Sequence, residues 1–348
     1  MAIFSHPDFD DHEGVYMASD PASGLKAIIA VHSTYRGPSA GGTRFWSYAD
    51  DEAALKDALR LSKAMSYKNA MADIPHGGGK GVILRPSGEF DREALFAAYG
   101  RAVNQLGGSY YAAEDVGVSP DDMEKVKTET NFVAGLDSGK NASGDPSPIT
   151  ADGVFRCLKV AAQETYGSSD LKQLRVAVQG LGHVGYALCQ HLSKAGAKLV
   201  VADINTGAVK RAEAELGASA HNPDTIHAAD VDIFAPCALG GVINEKSVGD
   251  IKAGIVGGAA NNQLSTSEMG EALRARDILY CPDYVINAGG IINVAAELSG
   301  DFNPEWVEGK LDGITQTLID ILADSKSKNL ATNLIADEMA RSRIGRAD

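Results

Sequence analysis

One glycine-spaced turn between a strand and a helix constrains the fold of this chain more than any other feature. The apolar run Leu174-Arg175-Val176-Ala177-Val178 is followed by Gly180-Leu181-Gly182-His183-Val184-Gly185, which opens a helix predicted over about 184–195. A second apolar strand, Lys198–Ala202, comes next. The alternation continues in three short apolar runs at 231–234, 254–256 and 278–280. Strands that alternate with helices form a parallel, doubly wound sheet, so we predict an α/β fold.

The glycine turn itself predicts a Rossmann-type dinucleotide site. Gly180 permits the tight turn, Gly182 lets the backbone approach a pyrophosphate, and Gly185 allows close packing of helix on strand. Unpaired N–H groups at the helix start favour the phosphates. Asp203 ends the next strand, where a carboxylate accepts from a ribose 2′-hydroxyl and repels a 2′-phosphate. The pattern favours NAD over NADP, although a glycine turn that binds nothing is the simpler alternative. The predicted contacts are Gly180, Leu181, Gly182, His183, Val184, Gly185, Asp203 and Ile204.

Turn-forming residues concentrate between Gly135 and Ser147 and indicate a linker or hinge. Before it, strand-like and helical runs mix, as in Leu25–Val31 and Asp51–Met65. We predict a substrate domain over residues 1–145 and an NAD-binding domain over 146–325. A helical segment, 326–348, is predicted to return to the first domain.

Composition excludes several classes of function. The chain has 348 residues and a net charge of −14, which argues against nucleic-acid or anionic-membrane binding driven by bulk charge. It has no apolar run of bilayer length, and its N-terminus lacks the pattern of a secretory signal. Four cysteines without a C-x-x-C pair are expected as reduced thiols in a cytoplasmic protein. No group of His, Cys, Asp and Glu has metal-ligand spacing in the sequence, so no metal is predicted.

A set of motifs in a fixed order runs through both halves. The first half carries Gly41-Gly42-Thr43-Arg44, Met65-Ser66-Tyr67-Lys68, Gly77-Gly78-Gly79-Lys80 and Ala113-Glu114-Asp115-Val116-Gly117. The second carries Pro146-Ser147-Pro148-Ile149-Thr150, Gly258-Ala259-Ala260-Asn261-Asn262 and Pro282-Asp283-Tyr284-Val285-Ile286-Asn287. From about residue 14 to 340 the chain resembles the glutamate/leucine/phenylalanine/valine dehydrogenase family, above all its leucine and phenylalanine branches.

The resemblance implies reversible oxidative deamination of an L-amino acid to its 2-oxo acid and ammonia. It implies that Lys68 binds the substrate carboxylate with the Gly41 N–H and Asn262. Lys80 then polarises the reacting oxygen and acts as base toward water, while Asp115 carries a proton for the amine. The resemblance also places four residues at the NAD cofactor: Ser147, Thr150, Ala238 and Asn262.

The side-chain pocket implied by the resemblance is apolar. Its predicted walls are Ala40, Met65, Ala113, Ile291 and Val294. A charged substrate side chain would lose its solvation there without gaining a partner, which argues against glutamate. Ala40 is smaller, and Ile291 larger, than expected for the leucine branch. A branched aliphatic substrate is favoured, and an aromatic one, phenylalanine, remains the alternative.

Two other classes of function are weaker. A catalytically silent NAD-binding sensor or assembly subunit would be favoured by the loss of Lys80 or Asp115, and both are present. A hydroxy-acid dehydrogenase would need a His–acid pair, for which the sequence offers no candidate. The resemblance implies a symmetric homo-oligomer of undetermined size.

Overall fold

The computed structural model describes residues 3–136, 145–299 and 303–346. The chain divides into two compact units. Unit 1 comprises Met1–Gly144, Asn293–Val307 and Ala340–Asp348, and unit 2 comprises Asp145–Ile292 and Glu308–Met339. Most of the predicted hinge lies outside the described residues.

Unit 1 contains a mixed five-stranded sheet in the order β1-β2-β4-β3-β5. Strand β2 runs antiparallel to β1 and β4, whereas β3 runs parallel to β4 and β5. The strands are β1 (Gly14–Asp20), β2 (Leu25–Ser33), β3 (Ser39–Trp46), β4 (Gly77–Leu84) and β5 (Tyr110–Glu114).

Helices cover both faces of this sheet. Helix α1 (Asp51–Met71) begins where the Asp50 side chain accepts the Ala53 N–H, and it packs small apolar residues such as Ala54 and Ala58 against β2 and β4. On the other face, α2 (Arg92–Gln105) and α3 (Pro120–Lys127) close a larger core. Helix α3 begins at Ser119-Pro120, where Ser119 and Asp122 form a capping box.

Unit 2 contains a sheet in the order β11-β10-β9-β6-β7-β8, in which neighbouring strands run parallel. In chain order this is the arrangement 3-2-1-4-5-6 of a doubly wound dinucleotide-binding fold. The strands are β6 (Arg175–Gln179), β7 (Lys198–Ala202), β8 (Ser219–Ala220), β9 (Ile233–Pro236), β10 (Ile255–Val256) and β11 (Leu279–Tyr280). The predicted α/β class and doubly wound sheet are confirmed.

The helices of the second half lie before, between and after these strands. They are α4 (Ser147–Tyr166), α5 (His183–Lys194), α6 (Thr206–Leu216), α7 (Glu268–Arg274), α8 (Asp283–Ile286), α9 (Gly289–Leu298), α10 (Pro304–Lys328) and α11 (Thr332–Arg343), with single 3-10 turns at Ile3–Ser5 and Ile226–Ala228. The boundary between the units falls within α9, α10 and α11. Across the described ranges, no helix has both the length and the apolarity needed to cross a bilayer.

The end of the chain joins unit 1 through arginine side chains. Arg343 donates to the carbonyls of Ala70 and Met71 at 3.3 Å, and Arg346 donates to those of Asp10 and Asp11. Glu297 on α9 accepts the N–H groups of Gly135 and Leu136. Residues 340–348 and 293–307 group with unit 1, whereas the sequence assigned 326–348 to one returning segment.

Candidate functional site

One face of the unit 1 sheet gathers most of the residues predicted for catalysis. Ala40 pairs with Gly78 across β3 and β4, and Gly42 pairs with Ala113 across β3 and β5. Side chains two apart on a strand share a face, so Lys80 follows Gly78 on this face. The same face packs against α1, because a Cβ on Gly78 would lie 2.0 Å from the Ser66 backbone nitrogen.

The glycine run before Lys80 belongs to the sheet. Gly77–Leu84 is a central strand, and a Cβ on Gly79 would lie 2.6 Å from the Tyr110 ring. The glycines therefore allow the protein to pack on both faces of β4, which fixes the position of Lys80.

Lys80 and Asp115 form a close ion pair. The Lys80 Nζ lies 2.5 Å from Asp115 Oδ2, and Lys80 is only 5 % exposed. Gly42 makes room for the pair, since a Cβ there would lie 2.7 Å from the Asp115 Cβ and 3.3 Å from the Lys80 Nζ. A close approach of this kind requires glycine at residue 42.

Arg44 contacts the same carboxylate oxygen. Its Nε lies 3.3 Å from Asp115 Oδ2, and its Nη1 lies 2.9 Å from Asp57 Oδ2 on α1. The Tyr48 hydroxyl donates to that Asp57 oxygen at 2.6 Å. Five groups, Lys80, Asp115, Arg44, Asp57 and Tyr48, are thus joined in one chain of polar contacts.

These contacts determine the ionisation of Asp115. Burial by itself would raise the pKa of Asp115, but the charge and hydrogen bond of Lys80, followed by the charge of Arg44, outweigh it. The net effect is a pKa below the ordinary value for aspartate, so Asp115 is a carboxylate at neutral pH.

Lys68 lies inside a helix rather than after one, which corrects the sequence prediction. Helix α1 runs to Met71, and the Lys68 carbonyl accepts the Ala72 N–H at its end. Met65, one turn earlier, packs toward β3, because its Cγ lies 3.2 Å from the position of a Cβ on Gly41. Gly41 and Met65 are therefore neighbours, and Lys68 follows Met65 by about one turn of α1.

The two predicted alanines of the pocket are buried. Ala40 is 1 % exposed and Ala113 is 6 % exposed, and both lie on the face that carries Lys80. Ile291 and Val294 lie one turn apart on α9, so they share a helix face. The unit boundary passes between them, with Ile291 in unit 2 and Val294 in unit 1.

In unit 2, the predicted phosphate site is made of backbone. Gly180 follows β6 with φ +98°, and a Cβ on it would lie 2.8 Å from the Cβ of Ala238, which follows β9. Gly185 packs helix on strand, since a Cβ there would lie 2.0 Å from the Gly180 carbonyl oxygen. Strands β6 and β9 flank the point where the strand order reverses, which is where ligands of such sheets bind.

Gly182 differs from the other two glycines. It is the N-cap of α5, and within the described part of the chain no side chain caps that helix. Apart from its chain neighbours and the backbone of its own helix, no described atom lies within 4 Å of a Cβ built on Gly182. His183 begins the helix with its side chain 86 % exposed, and Val184 follows it. The open space and the uncapped N–H groups fit a phosphate of a dinucleotide.

Asp203 forms a hydrogen bond to the backbone of the glycine turn. One carboxylate oxygen accepts the Leu181 N–H at 2.6 Å, and the other accepts the Asn205 N–H at 2.7 Å. Ile204, which lies between Asp203 and Asn205 in the sequence, is 93 % exposed. Asp203 therefore joins the end of β7 to the glycine turn.

The remaining predicted residues of unit 2 lie on loops and on the first turn of α4. Asn262 is exposed with φ +53°, and its carbonyl accepts the Gly241 N–H at 2.7 Å. The neighbouring Gln263 is buried and donates to the carbonyls of Gly258 and Ala260. Ser147 begins α4, where the hydroxyl of Thr150 donates to the Pro146 carbonyl.

Sequence reasoning assigned no role to Arg44. The residue is part of the motif Gly41-Gly42-Thr43-Arg44, and its place in that motif is the available signal. Its partner Asp57 gave no signal, because the contact joins β3 to a helix that only the fold brings there. Among the described residues, no group of three or more His, Cys, Asp or Glu could hold a metal ion.

Comparison with known proteins identifies the family. The Glu/Leu/Phe/Val dehydrogenase dimerisation domain matches residues 12–132, and the Glutamate/Leucine/Phenylalanine/Valine dehydrogenase model matches 143–215 and 205–344.

Individual relatives agree with the family models. A leucine dehydrogenase of Bacillus cereus is 47% identical over 344 residues, which is 99% of this chain and 94% of that protein. A valine dehydrogenase of Streptomyces virginiae is 42% identical, over 98% of this chain and 96% of that protein. The crystal structure of L-tryptophan dehydrogenase from Nostoc punctiforme superposes with a TM-score of 0.85 at 42% identity, covering 96% of each chain. The chain belongs to the glutamate/leucine/phenylalanine/valine dehydrogenase family and is an NAD(P)-dependent amino-acid dehydrogenase.

Proposed function

We propose that this enzyme catalyses the reversible, NAD-dependent oxidative deamination of an apolar L-amino acid, with branched-chain aliphatic substrates preferred. The observation that carries the proposal is the Lys80–Asp115 ion pair, which lies on one sheet face with the small apolar residues Ala40 and Ala113. The high identity to a leucine dehydrogenase and the match to a valine dehydrogenase support an aliphatic substrate.

The residues of unit 1 supply binding and proton transfer. Lys68 and the Gly41 N–H bind the substrate carboxylate. Asp115 takes the proton that the substrate ammonium group must lose, since it is an ionised carboxylate and can accept one. Lys80 then acts as base toward the water that attacks the imine, and polarises the carbinolamine oxygen. As this intermediate collapses, its hydroxyl loses a proton, Asp115 returns a proton to the amine nitrogen, and ammonia leaves.

Unit 2 supplies the site for the cofactor. NAD accepts a hydride from the substrate Cα when it is bound. The uncapped α5 N-terminus at Gly182 is proposed to hold its pyrophosphate, and Ile204 and Ala238 to flank the adenosine half. Ser147, Thr150 and Asn262 are proposed to bind the nicotinamide half.

Reaction assays test the function directly. NADH formation is measured with leucine, valine, isoleucine, phenylalanine, tryptophan, glutamate and a 2-hydroxy acid, and the reverse reaction with 2-oxo acids in the presence and absence of ammonia. We expect the highest kcat/KM on a branched-chain amino acid and a strict need for ammonia in reverse. A higher kcat/KM on phenylalanine or tryptophan would establish an aromatic enzyme instead. Turnover of the hydroxy acid alone would contradict the proposal.

The choice of NAD over NADP is proposed from Asp203. A 2′-phosphate would meet this carboxylate, which already accepts two backbone N–H groups. We expect wild type to prefer NAD, and Asp203→Ser to narrow that preference by removing the repulsion. Asp224→Ser, an exposed acid in the same unit, is the control. Equal use of both cofactors by wild type would contradict the role of Asp203.

We also propose a symmetric homo-oligomer, because the family model describes the matched N-terminal region as a dimerisation domain. Strand β1 is an edge strand whose Tyr16 and Met17 are 43 % and 66 % exposed. Exposed apolar side chains on an open sheet edge favour contact with another chain. A purified protein with the mass of a monomer at micromolar concentration would contradict this.

A further inference from the structure

We propose that Arg44 is a positioning residue that shares the Asp115 carboxylate with Lys80. Because the carboxylate has two cationic partners, its negative charge stabilises the ammonium form of Lys80 less than it would if Lys80 were its only partner. The inference rests on the proposed function, because it assigns Arg44 a role in the same reaction.

The geometry places both cations on one oxygen. Lys80 Nζ lies 2.5 Å and Arg44 Nε lies 3.3 Å from Asp115 Oδ2. Arg44 comes two residues after Gly42 on β3, so its side chain projects to the same sheet face as the ion pair. A guanidinium stays protonated at any pH the enzyme meets, so this second cation is permanent.

The surroundings hold Arg44 in place. Its Nη1 is 2.9 Å from Asp57 Oδ2, an oxygen that also accepts from Tyr48. Three quarters of the Arg44, Asp57 and Asp115 side chains are shielded from solvent, with relative exposures of 25%, 26% and 25%. Partly desolvated charges interact more strongly than charges in water, so these ion pairs are stronger than exposed pairs at the same distances.

The network consists of two cations and two anions on different elements. They are Lys80 on β4, Arg44 on β3, Asp57 on α1 and Asp115 after β5. Tyr48 completes it, and burial raises the Tyr48 pKa, so this hydroxyl stays neutral and donates.

Other charges lie beside the network. A cavity of about 370 Å³ next to Arg44 is also lined by Lys56 and Arg60 of α1, and Lys68 lies further along that helix.

The consequence concerns the deprotonated form of Lys80. A lysine paired with a buried carboxylate of its own would resist losing its proton, because the carboxylate would be left without a counter-charge. Arg44 remains on Asp115 when Lys80 becomes a neutral amine. The carboxylate then stays ionised and in place throughout the reaction.

The test is the pH dependence of kcat/KM for deamination in Arg44→Gln and Arg44→Lys. For Arg44→Gln we expect the ascending limb of the pH profile to move up by roughly 0.5–1 pH unit, which lowers kcat/KM at a pH on that limb by about 3- to 10-fold. Arg44→Lys keeps the charge and should keep the limb near its wild-type position. NADH affinity should not change in either variant.

Asp57→Asn is the matched structural control. It removes the other partner of Arg44 while leaving the guanidinium beside Asp115, so it should lower the melting temperature without moving the limb. If Arg44→Gln does not fold, Arg44→His takes its place, because a histidine is neutral above about pH 6.5.

Two results would overturn the inference: an Arg44→Gln limb identical to that of wild type, or a limb moved equally by Asp57→Asn. Failure of the proposed function is distinguishable, since wild type itself would then turn over no amino acid.

Discussion

The candidate sites of the two units consist of different chemical groups. In unit 1 charged side chains carry the site, and Lys80, Asp115 and Arg44 constrain one another through ion pairs. In unit 2 the backbone carries it, and glycines at 180, 182 and 185 shape a turn whose N–H groups are the proposed ligands. Chemistry in unit 1 should therefore be sensitive to charge, and binding in unit 2 to the volume of a single Cβ.

The largest expected effect separates catalysis from cofactor binding. Lys80→Ala removes the proposed acid–base group, and losing such a group typically costs 10²–10⁴-fold in rate. We expect kcat to fall by at least 10²-fold, with the NADH dissociation constant nearly unchanged because Lys80 belongs to unit 1. Steady-state kinetics and fluorescence titration with NADH measure the two quantities.

Lys26→Ala, an exposed lysine on β2, is the control for that variant. Retention of more than about a tenth of wild-type kcat would contradict the role of Lys80.

Two glycine substitutions test whether the cofactor phosphates bind at the glycine turn of unit 2. Gly182→Ala meets no protein atom within 4 Å, so the melting temperature should stay within about 2 °C of wild type. The added methyl group would occupy the space proposed for the pyrophosphate, so NADH affinity should fall at least 10-fold, or about 1.4 kcal/mol.

Gly185→Ala is the matched opposite, because its Cβ would lie 2.0 Å from the Gly180 carbonyl oxygen. It should lower stability as well as binding. Unchanged NADH affinity in Gly182→Ala would show that the phosphates do not approach this residue.

The apolar part of the unit 1 site predicts a smaller effect, on substrate choice. Ala40→Leu adds volume at a position that is 1 % exposed, so kcat/KM for phenylalanine should fall more than that for valine or leucine. We expect a difference of about 5- to 150-fold, since such pocket contacts are worth ~1–3 kcal/mol.

The melting temperature of Ala40→Leu must be measured too, because overpacking can destabilise the fold. Ala98→Leu, on the opposite side of the unit 1 sheet in the α2 core, is the control for overpacking alone. Equal losses on all three substrates would remove Ala40 from the pocket.

The smallest expected effect concerns stability, and it arises from a buried histidine in unit 1. His32 is fully buried and accepts from Arg346 at 2.8 Å through Nε2, and its Nδ1 contacts the Ser66 hydroxyl at 2.7 Å. Burial, followed by the charges of Arg346 and His12, lowers the His32 pKa to about 3, against the partial opposition of Asp10.

The sign of the pH effect follows from that lowered pKa. The unfolded chain protonates His32 as pH falls through about 6.5, whereas the folded protein does so only near pH 3. Stability is therefore complete above about 6.5 and is lost below it, by up to about 1.4 kcal/mol per pH unit.

Melting temperatures between pH 7 and 5 check this effect. His32→Asn should flatten their decline, whereas His183→Asn, an exposed histidine of unit 2, should not. An unchanged slope in His32→Asn would contradict a neutral buried histidine.

The sequence by itself determined the features that depend on neighbours along the chain. The doubly wound sheet, the turn at Gly180–Gly185 and the capped start of α3 follow from local periodicity, glycine conformations and capping chemistry. The order of the motifs also indicated the family, which the comparisons confirmed.

Only the tertiary structure decided which residues far apart in the sequence form ion pairs or packing contacts. It placed the Gly77–Gly79 run in a central strand, extended α1 past Lys68, and brought Arg44 and Asp57 to the Lys80–Asp115 pair. These contacts depend on strand register and helix packing between segments far apart in sequence. Periodicity within one segment carries no information about them, because it reports which face of an element is buried and not what covers that face.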